Sequence, residues 1–164
     1  MHRSSVIANN RLYVFGGQQG DFIPVIGNPQ FVCNNKTKEK YLADTYLFDF
    51  DKRQWQRVAD MPVAASHTEF SVVMVDHDVL LVGGAVHKNH ETCAVSLTDV
   101  IQVYHVKTNL WEIKGHLPYR VKTPIVAFLD GWLYAIAGQR DVGPDDARAG
   151  RIEARAWRTL LSLN

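Results

Sequence analysis

The chain has 164 residues, 46% of them hydrophobic, and a formal net charge of +1. These values allow a folded core, and the near-neutral charge provides no electrostatic footprint for nucleic acid or an anionic membrane. No apolar run approaches the roughly 20 residues of a membrane-spanning helix, and the first residues do not form a signal-peptide pattern. We therefore expect no nucleic-acid partner, no membrane partner and a cytoplasmic location.

Three similar segments, at residues 6–17, 72–84 and 125–138, each predict a β-hairpin that ends in a glycine pair or its equivalent. Eight residues before the last glycine, each segment has a turn that opens with Asn or Asp. These residue types tolerate a left-handed backbone or hydrogen-bond their own main chain. The apolar runs on both sides of the turns therefore predict paired antiparallel strands.

A second hairpin follows the first in two of the three segments. Phe48 precedes Trp55 by seven residues, and Tyr104 precedes Trp111 by the same number, with polar turn residues between them. Each glycine-pair hairpin and the aromatic hairpin that follows it predict one four-stranded antiparallel sheet.

The third segment continues with turn residues at 141–146 and a possible aromatic strand at 152–157. We expect this strand to place Trp157 at the position of Phe48 and Tyr104. The alternative for residues 148–161 is a basic helix, which residue propensity supports, but the repeat favours a strand.

These landmarks resemble the kelch-repeat family, whose motif is a paired glycine followed by a spaced tyrosine and tryptophan. Trp55 and Trp111 are 56 residues apart, close to the kelch period of about 50. Phe48 and Ala137 replace the family's tyrosine and first glycine. The resemblance implies an all-β fold: a kelch-type β-propeller segment of about three four-stranded antiparallel blades, with the ring incomplete.

We predict blade boundaries at residues 1–62, 63–118 and 119–164. The first blade carries a long insertion loop at 18–43, and the third lacks its last strand. Because propellers close with roughly 4–8 blades, we expect the remaining blades to come from a longer parent chain or from another copy.

Function is expected on the loops, because propeller sheets serve as scaffold. We predict loops after the three glycine pairs at about residues 18–43, 85–98 and 139–150. In kelch propellers the face with these loops and the loops between blades commonly receives the ligand. The resemblance therefore implies a protein–protein interaction module that binds a protein partner through one face, with no cofactor, metal or catalytic residue. The candidate partner-binding residues on that face are Phe22, His67, His87, His90, Arg120, Lys122, Arg140 and Asp141.

The alternative function is enzymatic, because the chain also resembles the kelch-type N-acetylneuraminate epimerases (sialic acid mutarotases). This resemblance implies that Arg3, His67, Arg120 and Arg140 bind the carboxylate of the sugar through charge-assisted hydrogen bonds. We prefer the interaction module, and we keep the epimerase as the alternative.

The loop after the second glycine pair raises two further questions of chemistry. His87, His90 and Cys93 have a spacing that zinc ligands can use, but we expect ordinary loop residues and no bound metal. Cys33 and Cys93 lie in predicted loops on the same face, so a disulfide is conceivable. We expect reduced thiols, because two cysteines do not make a disulfide framework.

Overall fold

The computed structural model of the chain describes residues 2–20 and 38–163. These residues form an all-β structure without a helix. The strands are β1 (Ser4–Ala8), β2 (Arg11–Phe15), β3 (Gln18–Gln19), β4 (Lys40–Tyr41), β5 (Thr45–Asp49), β6 (Gln54–Val58), β7 (Val72–Val75), β8 (Asp78–Lys88), β9 (Val95–His105), β10 (Leu110–His116), β11 (Val121–Lys122), β12 (Ile125–Leu129), β13 (Trp132–Ile136), β14 (Gln139–Gly143), β15 (Asp146–Ile152) and β16 (Ala156–Leu160). A helix long and apolar enough to span a membrane does not occur in these two ranges.

Blade 1 is a four-stranded antiparallel sheet in the order β1-β2-β5-β6. Phe48 lies opposite Leu12 on one side and Trp55 on the other, so the predicted aromatic hairpin is confirmed. The connection between β2 and β5 contains the two-stranded ribbon of β3 and β4. Residues 21–37 of this connection, including Phe22, lie outside the described residues.

Blade 2 consists of β7, β8, β9 and β10, each paired antiparallel with the next. Strands β8 and β9 are both 11 residues long, because the hairpin continues beyond the glycine pair to the pair Lys88 and Val95. The prediction of a loop at residues 85–98 is therefore wrong for most of that range. The polar residues between the two strands form only a short turn at its end.

Blade 3 contains β12, β13 and β16 among the described residues, and the predicted strand is confirmed over the helix. Its register differs from the prediction. Trp157 pairs with Ala135, and Thr159 pairs with Leu133. Counted from the glycine pair, Thr159 therefore occupies the position of Tyr104, and the predicted placement of Trp157 is wrong by two residues. Spacing could not define this register, because the connection before β16 differs in length and structure from those in the other blades.

The predicted loop at residues 139–150 is instead a second hairpin, formed by β14 and β15. This hairpin joins blades 2 and 3: β11 pairs with β14, and Arg148 of β15 pairs with Ser96 of β9. The same end of these two blades is therefore built from hydrogen-bonded strands, which hold the side chains on it in defined positions.

The core consists of two apolar layers, one at each joint between blades. Side chains alternate between the two faces of a strand, so blade 2 contributes one face to each layer. The layer between blades 1 and 2 includes Tyr13, Phe15, Leu47, Val79, Leu81 and Tyr104. The layer between blades 2 and 3 includes Leu80, Val82, Ile101, Val103, Leu133 and Ala135.

The glycine pairs allow the linkers between blades to pass close to the preceding sheet. Gly16 has a left-handed φ of +52°, and a Cβ atom at this position would lie 2.5 Å from the carbonyl oxygen of Ala65 in the linker. The backbone N–H of Gly17 donates a hydrogen bond of 2.8 Å to the same oxygen. A Cβ atom at Gly83 would lie equally close to the carbonyl oxygen of Val121. Glycine is thus required at these positions, because a larger side chain would collide with the linker at the joint between the blades.

Candidate functional site

The glycine pairs and the linkers between blades lie at the same end of the three sheets, which we call the loop face. The linker contacts at Gly17 and Gly83 define this end for blades 1 and 2. At blade 3, the N–H of Glu153 donates a 2.9 Å hydrogen bond to the carbonyl oxygen of Gly138, as Leu42 does to Gly17 in blade 1. The loop face is therefore a repeated feature of the fold.

A chain of alternating guanidinium and carboxylate groups lies on the loop face between blades 2 and 3. Arg120 Nη1 is 3.4 Å from Asp141 Oδ2, and Arg140 Nε is 3.4 Å from Asp141 Oδ1. Arg140 also donates from Nη1 to Glu153 Oε2 at 2.9 Å. Arg155 completes the chain with a bidentate contact to Glu153, at 2.8 Å and 2.9 Å. We call these five residues the arginine cluster.

Backbone pairing positions the arginine cluster. The pairing of β11 with β14 places Val121 opposite Arg140. The N–H of Asp141 donates to the carbonyl oxygen of Arg120 at 3.0 Å, and the Asp141 carboxylate accepts from the Arg120 N–H at 3.2 Å. Glu153 similarly accepts from the backbone N–H of Arg155 at 3.1 Å. Two carboxylates therefore hold both the backbone and the arginine side chains around them.

The carboxylates of the cluster are buried, whereas the side chains of Arg120 and Arg155 reach the surface. Asp141 and Glu153 are each 3% exposed, whereas the Arg155 side chain is 77% exposed. The hydrogen bonds from Arg155, together with that from Arg140, hold the pKa of Glu153 far below its usual range against the opposing effect of burial. Glu153 therefore stays ionised, and the surface of the cluster is cationic.

Two aromatic side chains complete the site. The guanidinium of Arg140 lies over the ring of Tyr119, 4.4 Å from its centroid, in a cation–π arrangement. Burial raises the pKa of the Tyr119 hydroxyl, so the ring stays neutral. A groove of about 350 Å³ runs beside these groups; it is lined by Pro118, Tyr119, Arg140, Glu153, Arg155, Ala156 and Trp157. We call it the arginine groove.

Three of the candidate residues come together here: Arg120, Arg140 and Asp141. Tyr119, Glu153 and Arg155 were not among the predicted site residues. The signal for the last two was present, because residues two apart on an extended segment share one side, so that a glutamate and an arginine at this spacing can pair. Trp157, which we expected at the position of Phe48 and Tyr104, packs on the core and also lines the groove.

The other candidate residues that the structure describes lie outside the arginine cluster. His67 stacks on His2, with ring centroids 4.2 Å apart. Its carbonyl oxygen accepts from the N–H of Thr123 at 3.0 Å. Burial lowers the pKa of the neighbouring Lys122. His87 is an exposed residue on β8 and His90 is half-buried in the following turn, so neither joins the arginine cluster.

Cys93 is disulfide-bonded, so the expectation of reduced thiols is wrong for this residue; Cys33 lies outside the described residues. The turn that presents Cys93 is ordered by Asn89, whose side chain accepts from the N–H groups of Glu91 and Thr92 at 2.9 Å. A bonded cysteine cannot supply the thiolate that a zinc ion requires. In the described ranges, no group of three His, Cys, Asp or Glu side chains is arranged to hold a metal ion.

Comparison with known proteins gives the family. Residues 1–62 match the family model described as "Kelch motif". The chain is 36% identical, over 162 residues, to a kelch repeat-containing protein of Arabidopsis thaliana; the match covers 99% of this chain and 38% of the Arabidopsis protein. It is 28% identical to Kelch-like protein 40 of Xenopus tropicalis over 135 residues, which are 79% of this chain and 17% of the relative. Alpha-scruin of Limulus polyphemus is 27% identical over 130 residues, which are 79% of this chain and 12% of alpha-scruin.

The solved structure of YjhT has a similar fold, with a TM-score of 0.57 and 17% sequence identity. The match covers 85% of this chain and 34% of YjhT. The chain belongs to the kelch-repeat family, and its sheets are blades of the β-propeller type. It spans less than two fifths of the length of each of these relatives.

Proposed function

We propose that the chain is a protein-interaction module that binds a protein partner through its loop face, with the arginine groove in the contact. Kelch-repeat proteins are typically protein-interaction modules, which supports a protein as the partner. The loop face supplies the specific surface, because its side chains are held by strand pairing and are ready to bind without a large ordering cost.

The observation that carries this proposal is the combination of residue types at the groove. Arginine, tyrosine and tryptophan are the residues enriched at the energetic centres of protein interfaces, and Arg140, Tyr119 and Trp157 line one concave surface. Beside it, Ile152 on β15 is 89% exposed. This aliphatic side chain is therefore available for contact with a partner that occupies the groove.

The arginines of the epimerase hypothesis are divided between two separate groups of ion pairs. Arg3 donates to Asp44 at 3.1 Å, and Arg120 and Arg140 belong to the arginine cluster. They lack a common open site among the described residues, and the likeness to YjhT concerns the fold alone. We therefore expect the chain not to accelerate the anomerisation of free sialic acid over buffer, as followed by NMR.

The proposal is tested by comparing two double variants in capture of partners from cell extract. Arg155→Ala with Ile152→Ser alters the loop face. Arg53→Ala with Leu110→Ser makes the same chemical changes at exposed residues of the opposite end. We expect the first variant to lose the partners that the wild type and the second variant retain, with melting temperatures close to that of the wild type because exposed residues contribute little to folding. Retention of all partners by the first variant would refute the proposal.

A further inference from the structure

We infer that the arginine groove recognises a carboxylate side chain, so that the bound partner presents an acidic segment to it. This inference rests on the proposed function and specifies the chemistry of the partner at that site. It is carried by three properties of the groove: its charge, its available donors and its walls.

The first property is an excess of one positive charge. The arginine cluster contains three guanidinium groups and two carboxylates. Both carboxylate side chains are only 4% exposed, whereas the side chains of Arg140, Arg120 and Arg155 are 16%, 32% and 77% exposed. A partner approaching the surface therefore meets cations, and a single carboxylate would neutralise the cluster.

The second property is the availability of hydrogen-bond donors. Arg155 contacts Glu153 through Nε and Nη2, and Arg140 uses Nε and Nη1. The N–H groups on Arg155 Nη1 and Arg140 Nη2 have no acceptor among the described residues. Guanidinium N–H groups form strong, directed hydrogen bonds to carboxylates, and Glu153 already shows this mode of contact between the same two arginines.

The third property is the apolar lining. Pro118, Ala156 and the ring of Trp157 form the walls beside the two guanidinium groups. The methylene groups of a glutamate side chain can lie against such walls while its carboxylate contacts the arginines. A phosphate would carry a charge of about −1.5 to −2, more than the single excess charge of the cluster. The carboxylate is therefore the better match.

The test uses fluorescence anisotropy with a fluorescein-labelled hexaglutamate peptide at low ionic strength, where screening is weak. Arg155→Gln and Arg140→Gln each remove one groove guanidinium. Arg148→Gln is the matched control, because Arg148 is an exposed arginine paired with an aspartate two residues away, as Arg155 is with Glu153. We expect the dissociation constant to rise about tenfold for each groove variant and less than about twofold for the control.

Arg155→Lys separates geometry from charge, because lysine keeps the charge and loses the planar fork; we expect an intermediate loss. Weakening of equal size in all three glutamine variants would show that binding is non-specific, and it would overturn the inference. The same conclusion would follow if hexaglutamate and a hexaglutamine control bound the wild type equally. If the loop-face double variant loses its partners while hexaglutamate neither binds nor competes for them, the proposed function stands and the carboxylate inference fails.

Discussion

Blades 1 and 2 carry the same aromatic pair in different environments. The ring centroids of Phe48 and Trp55 are 5.2 Å apart in blade 1, and those of Tyr104 and Trp111 are 5.1 Å apart in blade 2. Burial differs at both equivalent positions: Trp55 is 58% exposed whereas Trp111 is half-buried, and Phe48 is half-buried whereas Tyr104 is 1% exposed. The repeat thus sets the geometry of the aromatic pair within a blade, whereas the burial of the two side chains depends on the neighbouring blade.

The cover on blade 2 comes from the inner face of blade 1. Phe15 meets Trp111 edge to face, with centroids 5.7 Å apart. The Nε1–H of Trp111 donates to the carbonyl oxygen of Ala59 at 2.9 Å, so the two blades share a hydrogen bond as well as an apolar contact. Among the described residues no blade covers the equivalent face of blade 1, where Trp55, Val14 and Tyr46 line an open groove with Arg3.

The largest difference in the free energy of unfolding is expected between variants that truncate the tryptophan of one pair or the other. Trp111→Ala should lower the free energy of unfolding by about 3–5 kcal/mol, because it removes a large packed ring and a hydrogen bond at a joint. Trp55→Ala should lower it by less than about 1 kcal/mol, because the ring is mostly exposed. Urea denaturation measures both values, and equal losses would contradict the difference in burial.

The disulfide of Cys93 offers a perturbation of blade 2 that leaves its aromatic joint intact. Cys93→Ser, with Cys33 also replaced by serine so that no thiol remains, should cost about 2–4 kcal/mol because the unfolded chain is no longer constrained. Trp111 fluorescence in the folded state should not change, since the turn at Cys93 is far along β8 and β9 from the aromatic pair. A changed emission spectrum would show that the turn and the joint are coupled.

The smallest effect is expected from the hydroxyl group that distinguishes Tyr104 from Phe48. The Tyr104 hydroxyl donates to Asn109 Oδ1 at 2.9 Å. Tyr104→Phe should lower stability by about 0.5–1.5 kcal/mol, whereas Phe48→Tyr on the exposed pair should change it by less than about 0.5 kcal/mol.

The same hydroxyl predicts a pH dependence. Burial raises the pKa of Tyr104 from 10.0 to about 12. Below pH 10 the tyrosine is neutral in both the folded and the unfolded protein, and its full contribution to the free energy of unfolding is present. Between these two pKa values the unfolded tyrosine ionises first, so stability falls as the pH rises. Denaturation midpoints across this range should fall less steeply for Tyr104→Phe than for the wild type; parallel curves would contradict the assignment.

Much of the fold could be predicted from local patterns. The turns before the glycine pairs and the seven-residue aromatic spacing are short-range features, and both occur in the structure as expected. The long strands β8 and β9 and the hairpin of β14 and β15 could not be predicted in this way. The pattern predicts loops at residues 85–98 and 139–150 because these residues follow glycine pairs, and pairing such as that of Arg148 with Ser96 depends on a neighbouring blade.

The sequence predicted only part of the candidate site, namely the residues that adjoin each other or that the repeat places on one face. Arg140 and Asp141 adjoin each other, and the repeat places Arg120 on the same face. Tyr119 and Glu153 join them through the tertiary pairing of β11 with β14 and of β14 with β15. Since the length of the connection before β16 hid the register of blade 3, the sequence alone could not place the pair of Glu153 and Arg155 beside Arg140.

Ala137 has a φ of 56° and carries the methyl group that its counterparts, Gly16 and Gly83, lack. At Gly16 that methyl carbon would lie 2.5 Å from the oxygen of Ala65, well inside the roughly 3.3 Å at which carbon and oxygen make favourable contact. Blade 3 therefore cannot replace blade 1 or blade 2 in the chain order without displacing the linker. The repeats look like interchangeable modules, but the methyl group of Ala137 restricts blade 3 to its own position. Recombination or design that moves blade 3 to another position therefore has to begin with Ala137→Gly.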